Sequence, residues 1–325
     1  MIVNQKYNTR DKVLKVLFDA KGETVSGVLL SEILGISRVA IWKHISALKE
    51  AGFSIESRAR GYALLNPDDL LLPFCFGSEF ENRIFHFQEL ESTMDKAKVL
   101  ARGCAPHLSL VIAENQSAGR GRLKRQWFSS RGGLWFTLIL KPEIPPLLSY
   151  IYIFAASLSL SETLEQEFGL NIRVKWPNDL LLDGKKLAGL LSEMETSGNL
   201  ADFINIGIGL NVNNQIGRLE RQAEHQSERQ SKLGAISLKD ALGRSVSRAL
   251  IMKAFLKSFQ QRIQLVDCNN IIALWKERTS TIGSHVRVET FGEVYEGLAM
   301  DVDETGALLI RENSGQIRKI IYGDC

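Results

Sequence analysis

The run Gln116-Ser117-Ala118-Gly119-Arg120-Gly121-Arg122, closed by Trp127-Phe128-Ser129, decides how this chain is read. Two glycines alternate with two guanidinium groups. Glycine lets the main chain approach a ligand closely, and arginine grips phosphate or carboxylate with a planar fork. Taken alone, the run fits an anion-binding loop and a glycine-rich surface turn equally well. It is not a Walker loop, because Gly-Lys-Ser/Thr is missing, and it lacks the third glycine of a dinucleotide fingerprint. Its weight comes from three later runs in a fixed order: Lys175-Trp176-Pro177-Asn178-Asp179, Lys186-Leu187-Ala188-Gly189, then Gly207-Ile208-Gly209-Leu210-Asn211-Val212-Asn213.

Around these runs, apolar stretches at residues 108–114, 134–140, 173–176, 187–192 and 203–208 read as strands. Asp183-Gly184 is a hairpin turn signal between two of them. A long helix is expected over residues 148–168, and further helices over 238–266 and 269–278. The order of strand, helix and several strands suggests a mixed α+β sheet more than strict βαβ repetition. The polar run from Asn213 to Ser231 reads as a solvated loop or surface helix. Short β-like runs broken by Gly292, Gly306 and Gly315 suggest a small all-β barrel at the end.

Towards the N-terminus, residues 11–65 form a distinct pattern. Val13, Leu14, Leu17 and Phe18 recur at helical spacing. Ser26 is placed to cap a second helix carrying Leu30, Ile33 and Leu34, and Ser37 to cap a third after the Gly35-Ile36 turn. Ile41, Ile45 and Leu48 share the inner face of that third helix, so Arg38, Trp42 and Lys43 point outward. Arg58-Ala59-Arg60-Gly61 makes a basic hairpin tip. Three short helices and a β-wing match a winged helix-turn-helix, whose recognition helix enters the major groove. Residues 1–66 hold ten Lys/Arg against six Asp/Glu, a net +4, while the whole chain is only +3. Positive charge is thus concentrated where DNA contact is expected. Ser37, Arg38, Trp42, Lys43, Arg58 and Arg60 are the DNA-binding candidates. The predicted domains are 1–66, a linker at Asn66-Pro67-Asp68-Asp69 leading into 67–280, and 281–325.

The remaining chemistry is sparse. Lys186 follows a hairpin turn and precedes Leu187-Ala188-Gly189, so a buried strand would hold its ammonium in a fixed place. Asp179 suits a magnesium ion, a ribose hydroxyl or simply an Asn-Asp turn. The five histidines show no metal or triad spacing, and Cys75, Cys104, Cys268 and Cys325 form no C-x-x-C pair. They read as free thiols of a cytoplasmic protein. No apolar signal core opens the chain, and the stretch 147–160 is too short and too serine-rich for a membrane span.

Together with Glu91-Ser92-Thr93 and Ser37 through Ile45, these motifs resemble those of the bacterial bifunctional biotin protein ligase and biotin operon repressor (BirA) family, over nearly the whole chain. The resemblance implies a multidomain α+β fold: the winged helix, a central mixed sheet like that of class II aminoacyl-tRNA synthetases, and the small C-terminal barrel. It implies ATP with Mg2+ as cofactor, with the ion near Asp179, and biotin as substrate. The partners implied are a biotin carboxyl carrier protein domain, operator DNA, and a second copy of the chain when adenylate is bound. By motif position, Lys186, Arg122 and Asp179 would be catalytic. Ser92, Thr93, Gln116, Arg120, Arg122, Lys186 and Gly189 would bind biotin. Arg122, Trp127, Phe128, Lys175, Asn178 and Asn211 would bind the nucleotide. In the family a further glycine often follows the second arginine by two residues; Leu123-Lys124 stands there instead, which should stiffen the loop. Two other readings stay open, a lipoate or octanoate ligase and a biotin-responsive transcription factor without ligase turnover.

Overall fold

A computed structural model describes residues 8–216, 234–264, 268–290 and 292–325. The chain forms two compact units, Met1–Ile84 and Phe85–Cys325.

In the first unit, helices α1 (Thr9–Asp19), α2 (Gly27–Leu34) and α3 (Arg38–Glu50) precede a wing of β1 (Ile55–Arg58) and β2 (Gly61–Leu64). Each helix starts at a polar cap. Asn8 forms a capping box with Asp11, Ser26 accepts from the Leu29 amide, and Ser37 accepts from the Ala40 amide. Each cap satisfies an amide that a helix start leaves unbonded. Val13, Leu14, Leu17, Leu30, Ile41, Ile45 and Leu48 are buried between the helices. Ile33, expected among the apolar residues of α2, is instead 54% exposed. In the wing, Arg58 lies opposite Gly61, and Tyr62 also bridges to Val25. A Cβ on Gly61 would lie 2.1 Å from the Val25 carbonyl oxygen, so glycine is what lets the two backbones meet. Pro67–Asp69 is a 3-10 turn, and Phe74 beyond it packs on Phe18 at 5.3 Å between ring centroids.

The second unit is built on a seven-stranded sheet in the order β3-β4-β5-β9-β8-β7-β6. Its strands are β3 (Ile84–Phe87), β4 (Ser109–Ala113), β5 (Leu134–Leu140), β6 (Ile172–Lys175), β7 (Asp179–Leu182), β8 (Lys185–Ser197) and β9 (Leu200–Leu210). The pairs from β4 to β9 and from β9 through β8 and β7 to β6 are antiparallel. Every residue of β5 is buried, as a central strand covered on both faces requires. Helix α4 (Thr93–Arg102) lies against β4, β5 and β9, and α5 (Tyr150–Phe168) against α7 (Arg248–Gln264) and α8 (Cys268–Arg278). The segment Pro146–Phe168 is long and apolar enough to cross a bilayer, but it is a core helix, with Phe154 stacked on Trp275 at 4.7 Å.

The helix expected over 238–266 is two. Gly243, at φ 68°, ends α6 (Leu238–Leu242) in a left-handed cap before α7 begins. Most of the polar run 213–231 and the end of that expected helix lie outside the described residues. The C-terminal segment is a four-stranded antiparallel sheet, β10 (His285–Glu289), β11 (Val294–Val302), β12 (Leu308–Arg311) and β13 (Ile317–Ile320). The chain beyond β13 returns to β10 through mutual backbone hydrogen bonds of Glu289 and Asp324, each 2.9 Å.

Candidate active site

A cavity of about 220 Å³ opens at one end of the seven-stranded sheet. It is lined by all the ligand-site residues proposed from sequence: Ser92, Thr93, Gln116, Arg120, Arg122, Trp127, Phe128, Lys175, Asn178, Asp179, Lys186, Gly189 and Asn211. These positions span some 120 residues of chain, and topology brings them together. Asp179 opens β7, Lys186 is the second residue of β8 and Asn211 follows β9, three neighbouring strands.

The loop closes on itself over this cavity. Gln116 staples its two ends. The Gln116 side chain accepts from the Thr93 amide at 2.7 Å and donates to the Ser129 hydroxyl at 2.7 Å. One donor and one acceptor of its amide are thus engaged by the protein. A Cβ on Gly119 would meet the Trp127 carbonyl oxygen at 2.4 Å, so only glycine allows this closure. Within the loop, Gly121 N–H donates to Arg125 O (2.8 Å) and Arg125 N–H to Arg122 O (3.0 Å). Leu123, between them, is left-handed at φ 52°, ψ 31°. That conformation costs a non-glycine residue about 1–2 kcal/mol. At Leu123-Lys124, where the sequence predicts a stiffer loop, the structure has a strained turn.

The two glycines that open the last motif have a steric reason. A Cβ on Gly209 would strike the Trp127 indole nitrogen at 2.3 Å, and one on Gly207 would strike the Met94 sulfur at 2.7 Å. Gly189 leaves space on the same indole. The Trp127 indole N–H is buried and has no hydrogen-bond partner among the described residues.

The cavity is rich in cations, most of them already engaged. Arg120 pairs with Asp95 at 2.7 Å and Glu193 at 3.2 Å, so it is tied to α4 and β8. Lys186 Nζ lies 2.8 Å from Asp179 Oδ2 and 5.2 Å from the Trp127 ring centre. The other Asp179 oxygen, Oδ1, is buried and has no hydrogen-bond partner among the described residues. Lys175 donates to the Cys325 carbonyl, and Asn178 Nδ2 to the Leu190 carbonyl. The Arg122 guanidinium lies 4.7 Å from the Tyr322 ring centre. Burial pushes the Arg122 pKa down, while Tyr322, Asp324 and Asp179 oppose the shift; arginine stays charged throughout. Burial pushes the Cys325 thiol up to about 12, which keeps it neutral and unreactive.

Sequence reasoning did not find Arg125, Asp324 or Cys325 on the cavity wall. Arg125 carries a weak signal as a third arginine of the loop. Asp324 has none, since its place depends on how the C-terminal sheet docks. Among the described residues no group of three or more His, Cys, Asp or Glu is placed to hold a metal ion. In the first unit, Ser37, Arg38, Trp42, Lys43, Arg58 and Arg60 are all exposed, on α3 and the wing. Arg58 is partly engaged, with Glu56 at 2.6 Å and Thr24 Oγ1 at 3.1 Å.

The chemistry such a cavity offers is the joining of two anions. Cations neutralise their repulsion, and a carboxylate stands beside the lysine. Residues 85–211 match the Biotin/lipoate A/B protein ligase family, residues 9–63 an HTH domain, and residues 281–325 the Biotin protein ligase C terminal domain. The chain is 34% identical to the bifunctional ligase/repressor BirA of Bacillus subtilis (strain 168), over 97% of both chains. It is 30% identical to that of Escherichia coli (strain K12), over 94% of this chain and 93% of the other. Its fold is similar to that of the biotin protein ligase from Aquifex aeolicus in complex with biotin and ATP. There the TM-score is 0.60 at 26% identity, covering 74% of this chain and 96% of the other.

Proposed function

The chain belongs to the bifunctional biotin ligase/repressor family, and from that premise we propose that it joins biotin to a lysine of a biotin carboxyl carrier protein and represses biotin genes through its own reaction intermediate. In the first half-reaction a biotin carboxylate oxygen bonds to the α-phosphorus of ATP, and the bond to pyrophosphate breaks. In the second, the ε-amine of the carrier lysine attacks the acyl carbon of biotinyl-5′-adenylate, loses a proton, and AMP leaves.

The observation that carries this reading is the convergence of Lys186, Arg120, Arg122 and Asp179 on one cavity under one loop. Lys186 stabilises the charge that builds where carboxylate and phosphate meet, once its bond to Asp179 is exchanged for the substrate. Arg122 clamps the phosphate, and the loop from Gly119 to Trp127 shields the mixed anhydride from water. Ser92 and Thr93, both buried at the start of α4, bound the biotin end. A magnesium ion bound with the nucleotide would supply charge neutralisation of its phosphates. The unpartnered buried oxygen of Asp179 fits such an ion, which needs only one or two protein carboxylates. The same oxygen also suits the incoming lysine.

For repression, Arg38 and Lys43 on α3 read the operator with the wing residues Arg58 and Arg60. A dimer would present two such helices to two half-sites. One surface for it is the second half of β8. β7 pairs with β8 only as far as Gly189, so among the described residues the strand beyond Leu190 has β9 on one side and no strand on the other.

Incubation with ATP, a carrier domain and either biotin or lipoate tests the reading. Transfer of biotin alone supports it. Transfer of lipoate selects the related ligase, and no transfer of either selects a pure transcription factor.

A further inference from the structure

Arg125 donates a hydrogen bond to the Asp324 carboxylate, and its other terminal nitrogen lies 3.5 Å from Glu289. Arg122, three residues earlier, lies over Tyr322. Both arginines of the turn that carries the anion-binding loop are thus gripped by the last strand return of the C-terminal sheet. Asp324 is itself fixed, because its backbone N–H and C=O both bond to Glu289 and its side chain is 16% exposed. On the loop side the turn is strained, with Leu123 left-handed. Hydrogen bonds within the turn come from its own backbone, Arg120 before it is held by Asp95 and Glu193, and Arg122 and Arg125 are held by the C-terminal sheet.

We propose that Asp324, supported by Glu289, is a positioning residue for ligation. It latches Arg125, so that the strained turn at Leu123 holds Arg122 in place over the cavity, and the C-terminal sheet thereby keeps the reactive adenylate from escaping. Asp324 touches no reacting atom; it acts through Arg125 and the backbone of the turn. The latch rests on the proposed ligation for its purpose, but not for its existence. The free loop would otherwise relax, because a bulky residue leaves the left-handed region when nothing holds it there.

The test uses the full chain and two readouts. Amide hydrogen exchange over residues 117–129 reports the order of the loop in the absence of substrate. Release of biotinyl-adenylate, formed in a single turnover without carrier, reports retention. Asp324→Asn should speed both by roughly tenfold, the factor expected when one hydrogen bond to a charged group is lost. Exchange in β5 and β9 should stay as in the unsubstituted protein. Asp324→Glu should recover most of the effect, and Leu123→Gly in the Asp324→Asn background should recover part of it by removing the strain. Arg125→Gln breaks the same latch from the loop side and should match Asp324→Asn even if that variant folds poorly. Unchanged exchange and unchanged release in a folded Asp324→Asn or Arg125→Gln protein would overturn the proposal. A protein that forms no adenylate at all refutes the ligase reading instead, and the exchange arm still decides whether the latch exists.

Discussion

At the residue level, the proposed function rests on a few side chains with defined surroundings. Lys186 is the sharpest case: one ammonium, 2.8 Å from Asp179 and above the Trp127 ring. Lys186→Ala should leave the fold intact and slow adenylate formation by about a hundred- to a thousandfold, as for loss of one donor at a charge-building centre. Single-turnover formation of biotinyl-adenylate measures this, and a near-normal rate in the folded variant removes Lys186 from the mechanism. Much at this scale was legible in the sequence, because the motifs consist of residues with one physical reason to be there. Gly119, Gly207 and Gly209 make room for the Trp127 carbonyl, Met94 and the Trp127 indole. Partners remote in sequence were not legible. Nothing near Arg120 foretells that Asp95 and Glu193 already neutralise it, or that the Gln116 amide bonds to both Thr93 and Ser129.

At the level of elements, strands with continuous apolar runs were readable to within a few residues. The fully buried β5 matches its expected span, 134–140. β3 and β7 were missed: each is four residues long, and β7 begins with the polar Asp179. The single helix read over 238–266 hid the left-handed break at Gly243, because the apolar period continues on both sides. One element junction has a pH signature. Glu114, just after β4, contacts His86 at 3.1 Å and Arg248 of α7 at 2.6 Å. Burial raises its pKa, but the hydrogen bond from His86 and the charge of Arg248 outweigh this and hold it at about 2, against an ordinary 4.5. A carboxylate depressed on folding stabilises above its unfolded pKa, and that contribution is lost as pH falls from about 4.5 towards 2. It amounts to about 3 kcal/mol. Glu114→Gln should therefore be less stable at neutral pH, and its urea midpoint should fall less between pH 5 and pH 3 than that of the unsubstituted protein. Equal acid sensitivity would mean the junction carries no such charge. On α3, replacing Arg38 and Lys43 together with alanine should lower the salt slope of DNA binding by about 2, if each neutralises one phosphate. A gel-shift titration at several salt concentrations gives the slope, and an unchanged slope would place the phosphate contacts elsewhere.

At the level of the whole molecule, the order of winged helix, ligase sheet and small β segment was legible because each has its own periodicity and turn chemistry. What the sequence could not show is how the C-terminal sheet reaches the cavity, since that depends on docking and not on local pattern. The functional claim is likewise about the whole chain: one cavity makes biotinyl-adenylate, and that product serves both ligation and repression. A ligand shifts an equilibrium between states only through different affinity for them. On the proposed reading adenylate, which carries both the biotin and the nucleotide parts, would contact the loop as neither biotin nor ATP alone would. The direct measurement is a gel-shift of the upstream region of the biotin genes with the unsubstituted protein and with Lys186→Ala, each given biotin alone, ATP alone, or both. Strong retention is expected only with biotin and ATP together, and only for the unsubstituted protein. Equal retention with biotin alone, or undiminished retention by Lys186→Ala, would contradict the claim.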